Sequence, residues 1–144
     1  MRLRRLFLAA GLAGFVLFST SCNKQTATPN QAATPKGALS TVIIQLSAVA
    51  GSCQQAQPGT APITSIGIDQ GQQIEYETPN SVPFEVQFPS GASPCSSTTF
   101  SSANGQPVYT GACQGGNGSY PYSKMTINGT QCTLAPGMGV HIPH

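Results

Sequence analysis

The stretch Asn80-Ser81-Val82-Pro83-Phe84-Glu85-Val86-Gln87-Phe88 decides how this chain is read. Within it, apolar residues fall on alternate positions: Phe84, Val86 and Phe88, with Glu85 and Gln87 between them. A period of two places the apolar set on one face of a strand and the polar pair on the other. The same alternation recurs on both sides. Val42, Ile44 and Leu46 form one face of a first strand, and Ile66 with Ile68 follows the breaks at Pro58-Gly59 and Pro62. Ile74, Tyr76 and Thr78 then alternate with Glu75 and Glu77, which face water. Further on, Tyr120 to Ile127 reads as a strand ending in an Asn128-Gly129 turn, and Val140 with Ile142 closes the series. Gly (16) and Pro (12) punctuate the chain too often for helices of useful length,. The expected fold class is all-β, a single sandwich of short strands with no internal repeat.

The N-terminal residues set how much of the chain must fold. Arg2, Arg4 and Arg5 precede an apolar run from Leu6 to Phe18, too short for a lasting membrane span but suited to a secretory signal,. Its ending, Ser19-Thr20-Ser21-Cys22, resembles a bacterial lipoprotein signal, in which the Cys after the cut receives the lipid. Thr20 and Ser21 fit that pattern, while Ser19 stands where Leu is usual. The alternative is an ordinary signal cut near Ser19 or Ser21. The expectation is a signal peptide over 1–21, a Gln-, Thr-, Ala-, Asn- and Pro-rich tether over 22–38 beginning at lipidated Cys22, and one domain over 39–144, close to the commonest domain size. The protein is then anchored by lipid to a bacterial envelope membrane, facing the periplasm or the exterior.

Charge follows from the same division. Beyond the signal only Lys24, Lys36 and Lys124 remain as cations, against Asp69, Glu75, Glu77 and Glu85. Three cations against four carboxylates give −1 before the termini, so the basic character belongs to the signal. Phosphate recognition needs clustered Lys and Arg, which argues against a nucleic-acid partner. Setting Cys22 aside leaves Cys53, Cys95, Cys113 and Cys132, and four thiols in an oxidising compartment read as two disulfides with three possible connectivities. Without a C-x-x-C pair, and with both histidines at the C-terminus, zinc is not expected,.

Several motifs together resemble the cupredoxin (plastocyanin-like) family. Gly71-Gln72-Gln73-Ile74-Glu75-Tyr76, then Asn80, then Pro83-Phe84-Glu85-Val86-Gln87-Phe88 is similar to the family's Gly turn, Ile-x-aromatic strand, Asn and Pro-His-x-Val-x-Phe. Gly118-Ser119-Tyr120-Pro121-Tyr122 resembles its G-x-Y-x-aromatic strand. Gly137-Met138-Gly139-Val140-His141-Ile142 resembles the segment carrying the methionine ligand, one residue shorter. The resemblance covers most of Ile66 to Ile142 and implies a Greek-key, cupredoxin-like sandwich. A blue-copper centre needs two imidazoles, a thiolate and a weak axial thioether. Carried over position by position, the first His falls on Phe84, the Cys on Lys124 and the second His on Ile127, which leaves Met138 alone. The resemblance therefore implies a fold without its copper, and no other cofactor is expected. It also implies a pairing, Cys53 with Cys132 at the end where copper would sit and Cys95 with Cys113 at the other. Met138, His141 and His144 are the candidates for a loose terminal copper site, set against a solvent-facing His141 and a frayed end.

Other chemistry finds little support. A nucleophile triad needs a base and an acid converging on Ser or Cys, but the bases are two terminal histidines and the one Asp is Asp69. Glu75, Glu77 and Glu85 could form an acidic pair for glycoside hydrolysis, yet outward carboxylates beside an apolar face describe an ordinary strand. Gly115-Gly116-Asn117-Gly118 lacks the Lys-Ser or Lys-Thr of a phosphate loop. Asn117-Gly118-Ser119 and Asn128-Gly129-Thr130 match the glycosylation triplet, a chance match in a bacterial protein. Tyr109, Tyr120 and Tyr122 offer aromatic surface, more usual as packing. The expected protein is not an enzyme but an interaction or structural module with a protein or glycan partner, its most distinctive surface the loop from Ser90 to Gly118. The alternative is a copper-handling protein using Met138 and His141.

Overall fold

The computed structural model describes residues 39–144. The expected signal peptide, lipidation at Cys22 and tether fall on residues 1–38 and lie outside the described residues.

Eleven strands and one 3-10 turn make up the domain. Val42, Ile44 and Leu46 open β1 (Thr41–Val49), which turns back through Ala50-Gly51 into β2 (Ser52–Ala56). β1 runs parallel to β4 (Gln73–Glu77), and β4 runs antiparallel to β7 (Val108–Ala112), giving a sheet ordered β2-β1-β4-β7. The second sheet, β10-β9-β5-β6, is built on β5 (Phe84–Gln87). One neighbour of β5 is β9 (Lys124–Ile127), which continues into β10 (Thr130–Gln131); the other is β6 (Thr99–Ser102). A third sheet places β11 (Gly139–Ile142) between β3 (Ser65–Gly67), parallel, and β8 (Gly118–Pro121), antiparallel. The second and third sheets meet at Tyr122-Ser123, where Ser123 N donates to Gln87 O and Tyr122 N donates to Met138 O.

Alternation does what the sequence pattern requires. Ile44, Leu46, Ile74 and Tyr76 from the first sheet and Ile66, Phe84, Val86, Met125, Ile127, Val140 and Ile142 from the others form one buried core. The architecture is all-β and sandwich-like. The Asn128-Gly129 turn has both residues at positive φ, 50° and 76°. Such a turn matches the twist of the strands it joins, Ile127 pairing with Thr130,.

Two expectations are corrected. Ser90–Gly118 is not a loop: β6 and β7 form within it and join two different sheets. Their apolar content is low, and β7 carries an irregularity opposite Gln73/Glu75 in which Thr110 Oγ1 accepts the amide of Ile74 at 2.9 Å,. Tyr120 to Ile127 is not one strand but two, β8 and β9, bent at Tyr122-Ser123 so that each half pairs with a different partner. Cys53 lies inside β2, because the Ala50-Gly51 turn folds the chain straight back.

Candidate functional site

The positions that the family would use for copper can be read on β5 and β9. Their register pairs Phe84 with Ile127, Val86 with Met125, Glu85 with Thr126 and Gln87 with Lys124. Phe84 and Ile127 point inward and are 3% and 8% exposed. Lys124 points the other way: its Nζ donates to Glu85 Oε1 at 2.9 Å on the outer face. Even the right side chain at position 124 would therefore face away from position 84. Two apolar side chains and an outward ammonium offer no imidazole or thiolate to a metal.

The terminal candidates are not brought together. Met138 is buried and lines a hollow of about 190 Å³ with Cys53, Pro62, Ile63 and Ala135. His141 Nδ1 is hydrogen-bonded to Ser65 Oγ at 3.0 Å, its ring lying over Gly67, where an added Cβ would come within 3.3 Å of it. Nδ1 of His144 accepts from Asn117 Nδ2 at 3.1 Å. Each of the three thus has its own neighbourhood. Among the described residues no group of three or more His, Cys, Asp or Glu side chains is placed to hold a metal ion. The Ser65–His141 pair was not legible in the sequence, since its members stand 76 residues apart and meet only through the β3–β11 ladder. No carboxylate hydrogen-bonds to that imidazole among the described residues, so the pair lacks the orienting acid of a triad.

Disulfides join Cys53 to Cys132 and Cys95 to Cys113, with Cα atoms 5.2 and 4.0 Å apart. The first ties the start of β2 to the segment after β10, where Cys132 N donates to Met125 O. The second ties the loop after β5 to the end of β7. Between the sheets runs a polar chain: Tyr76 and Tyr122 hydroxyls lie 3.3 Å apart, and Tyr122 donates to Gln55 Oε1 at 3.0 Å. Gln55 Nε2 in turn donates to the carbonyls of Thr64 and Gly139 at 2.9 and 2.7 Å. Burial pushes both tyrosine hydroxyls upward in pKa, so they stay protonated and act as structural links rather than acids or bases,.

The glutamates separate. Glu75 and Glu77 stand on the outer face of the first sheet, where Gln45 Nε2 donates to Glu77 Oε1 at 2.9 Å. Exposed Tyr109 sits across the ladder from Glu75, whose carboxylate raises its hydroxyl. Glu85 belongs to the other layer, so the three glutamates do not converge and only Glu75 and Glu77 share a face. Of the tyrosines, Tyr122 is core and Tyr109 is 55% exposed.

Over the outer face of β6, β5 and β9 lies an open groove of about 430 Å³. Glu85, Lys124, Thr126 and Ser101 furnish its polar groups, and Pro83 and Ala103 part of its wall. Ser101 and Thr126 flank Glu85 directly, one on each neighbouring strand. β6, within Ser90–Gly118, contributes one side of this groove. The chain matches no family model, no curated protein and no solved structure.

Proposed function

We propose that this protein is a lipid-anchored envelope protein whose folded part is a copper-free, cupredoxin-like Greek-key domain acting as a non-catalytic interaction module. One observation carries the reading: the inner pair at the copper end is Phe84 against Ile127, while Lys124 turns outward. The sandwich reading is supported by pairings between strands far apart in sequence, β1 with β4 and β3 with β11, and by the cysteine pairs Cys53–Cys132 and Cys95–Cys113. The envelope assignment rests on the Arg-rich start, the apolar run and Ser19-Thr20-Ser21-Cys22.

Anaerobic calorimetry with Cu(I) and visible absorbance with Cu(II), on protein without a His tag, test the domain. The expected outcome is no stoichiometric uptake and no change on Met138→Ala or His141→Ala. Tight binding lost in those variants would replace the reading with copper handling. For the anchor, Cys22→Ser is expected to move the protein from the membrane fraction to the soluble fraction; unchanged membrane association would remove the lipoprotein assignment.

A further inference from the structure

Among residues 39–144 Lys124 is the only Lys or Arg, and it stands in the outer groove of β6, β5 and β9. Its partner Glu85 accepts twice at Oε1, from Lys124 Nζ at 2.9 Å and from Gln87 Nε2 at 3.2 Å. The ammonium has three hydrogens and the carboxylate two oxygens. Among the described residues, this leaves two N–H donors and the second carboxylate oxygen without a protein partner. The hydroxyls of Ser101 and Thr126 flank the pair on the neighbouring strands. The groove thus offers donors, acceptors and dual-role hydroxyls, around a charge pair that is already neutralised.

That inventory selects a ligand class. An anion drawn to Lys124 meets the Glu85 carboxylate, and a cation drawn to Glu85 meets the ammonium. A zwitterion must part the two before it can bind both. A neutral polyol does none of these, because every hydroxyl both donates and accepts and fits the unused positions as they stand. Pro83 and Ala103 give a small apolar wall for ring C–H groups. The volume, about 430 Å³, lies within the ~300–1,000 Å³ usual for small-ligand sites and suits a mono- or disaccharide unit. The Phe84 ring is turned into the core, so hydrogen bonds rather than aromatic stacking carry recognition.

We propose that this groove binds a neutral saccharide through Lys124, Glu85, Thr126 and Ser101. The proposal rests on the reading of the domain as a non-catalytic interaction module and names its partner class. The test is calorimetry and ligand-observed NMR on the purified full chain with cellobiose, maltose, lactose and chitobiose. A disaccharide uronate and glycine serve as charged and zwitterionic counter-probes. At least one neutral disaccharide is expected to bind. Glu85→Gln, Lys124→Met and Thr126→Val should each weaken it by about tenfold, with circular dichroism unchanged, while Glu75→Gln on the other sheet has no effect. No binding by any of the four at ~10 mM, binding indifferent to all three groove variants, or tighter binding of a counter-probe would overturn the proposal. Copper uptake alongside intact saccharide binding would overturn the module reading but leave the groove. Absence of both would overturn the groove alone.

Discussion

The two faces of the β5–β9 pair are made from interleaved residues and have opposite characters. Inward, Phe84, Val86, Met125 and Ile127 pack into a buried core; outward, Glu85, Lys124 and Thr126 carry charge and a hydroxyl into a groove. A shift of one residue would exchange them. The resemblance to cupredoxins assigns metal chemistry to positions 84 and 127 on the inner face, and that face is apolar. The polar chemistry of the pair lies on the other side of the same backbone, in the groove. Position alone, counted along a motif, put Lys124 among the ligand positions; register puts it among the groove residues.

The contrast can be tested first at its staple. Replacing Cys53 and Cys132 together by Ala opens a closure of sequence separation 79, against 18 for Cys95 and Cys113. Chain-entropy scaling predicts losses of about 4 to 5 and about 3 kcal/mol respectively, measured by urea unfolding. Equal losses would mean that the longer closure, whose Cys132 lies against inner-face Met125, gives the inner face no extra support. Next, Phe84→Ala should cost about 3 to 4 kcal/mol through lost burial and a cavity. Its neighbour Glu85→Ala should change stability by no more than about 1 kcal/mol, since the Lys124 pair is partly exposed, at 37% and 32%,. Comparable effects at the two positions would mean that the faces are not distinct.

Some of this was written plainly in the chain. Strands with apolar residues at every second position, such as Ile74-Glu75-Tyr76 and Phe84-Glu85-Val86, announce themselves because burial on one face enforces the period. β2, β6 and β7 did not. In Ser52–Ala56 a buried position is filled by Gln55, whose hydrogen bonds to Tyr122, Thr64 and Gly139 make burial tolerable,. In Thr99–Ser102 the inward residues are Phe100 and Ser102, and in Val108–Ala112 Thr110 closes the ladder with its side chain. Such strands depend on partners far along the chain, so local pattern carries little of their signal. The groove was invisible for the same reason, since Glu85 and Lys124 stand 39 residues apart and meet only through strand register.

The inner face carries the central claim, and copper is its most direct probe. Titrating the purified protein with Cu(I) under anaerobic conditions, and with Cu(II) under visible absorbance, should give no stoichiometric binding and no intense thiolate-to-copper band, because Phe84 and Ile127 provide no ligand and Lys124 faces away. One equivalent taken up tightly, and released on Met138→Ala or His141→Ala, would contradict the account.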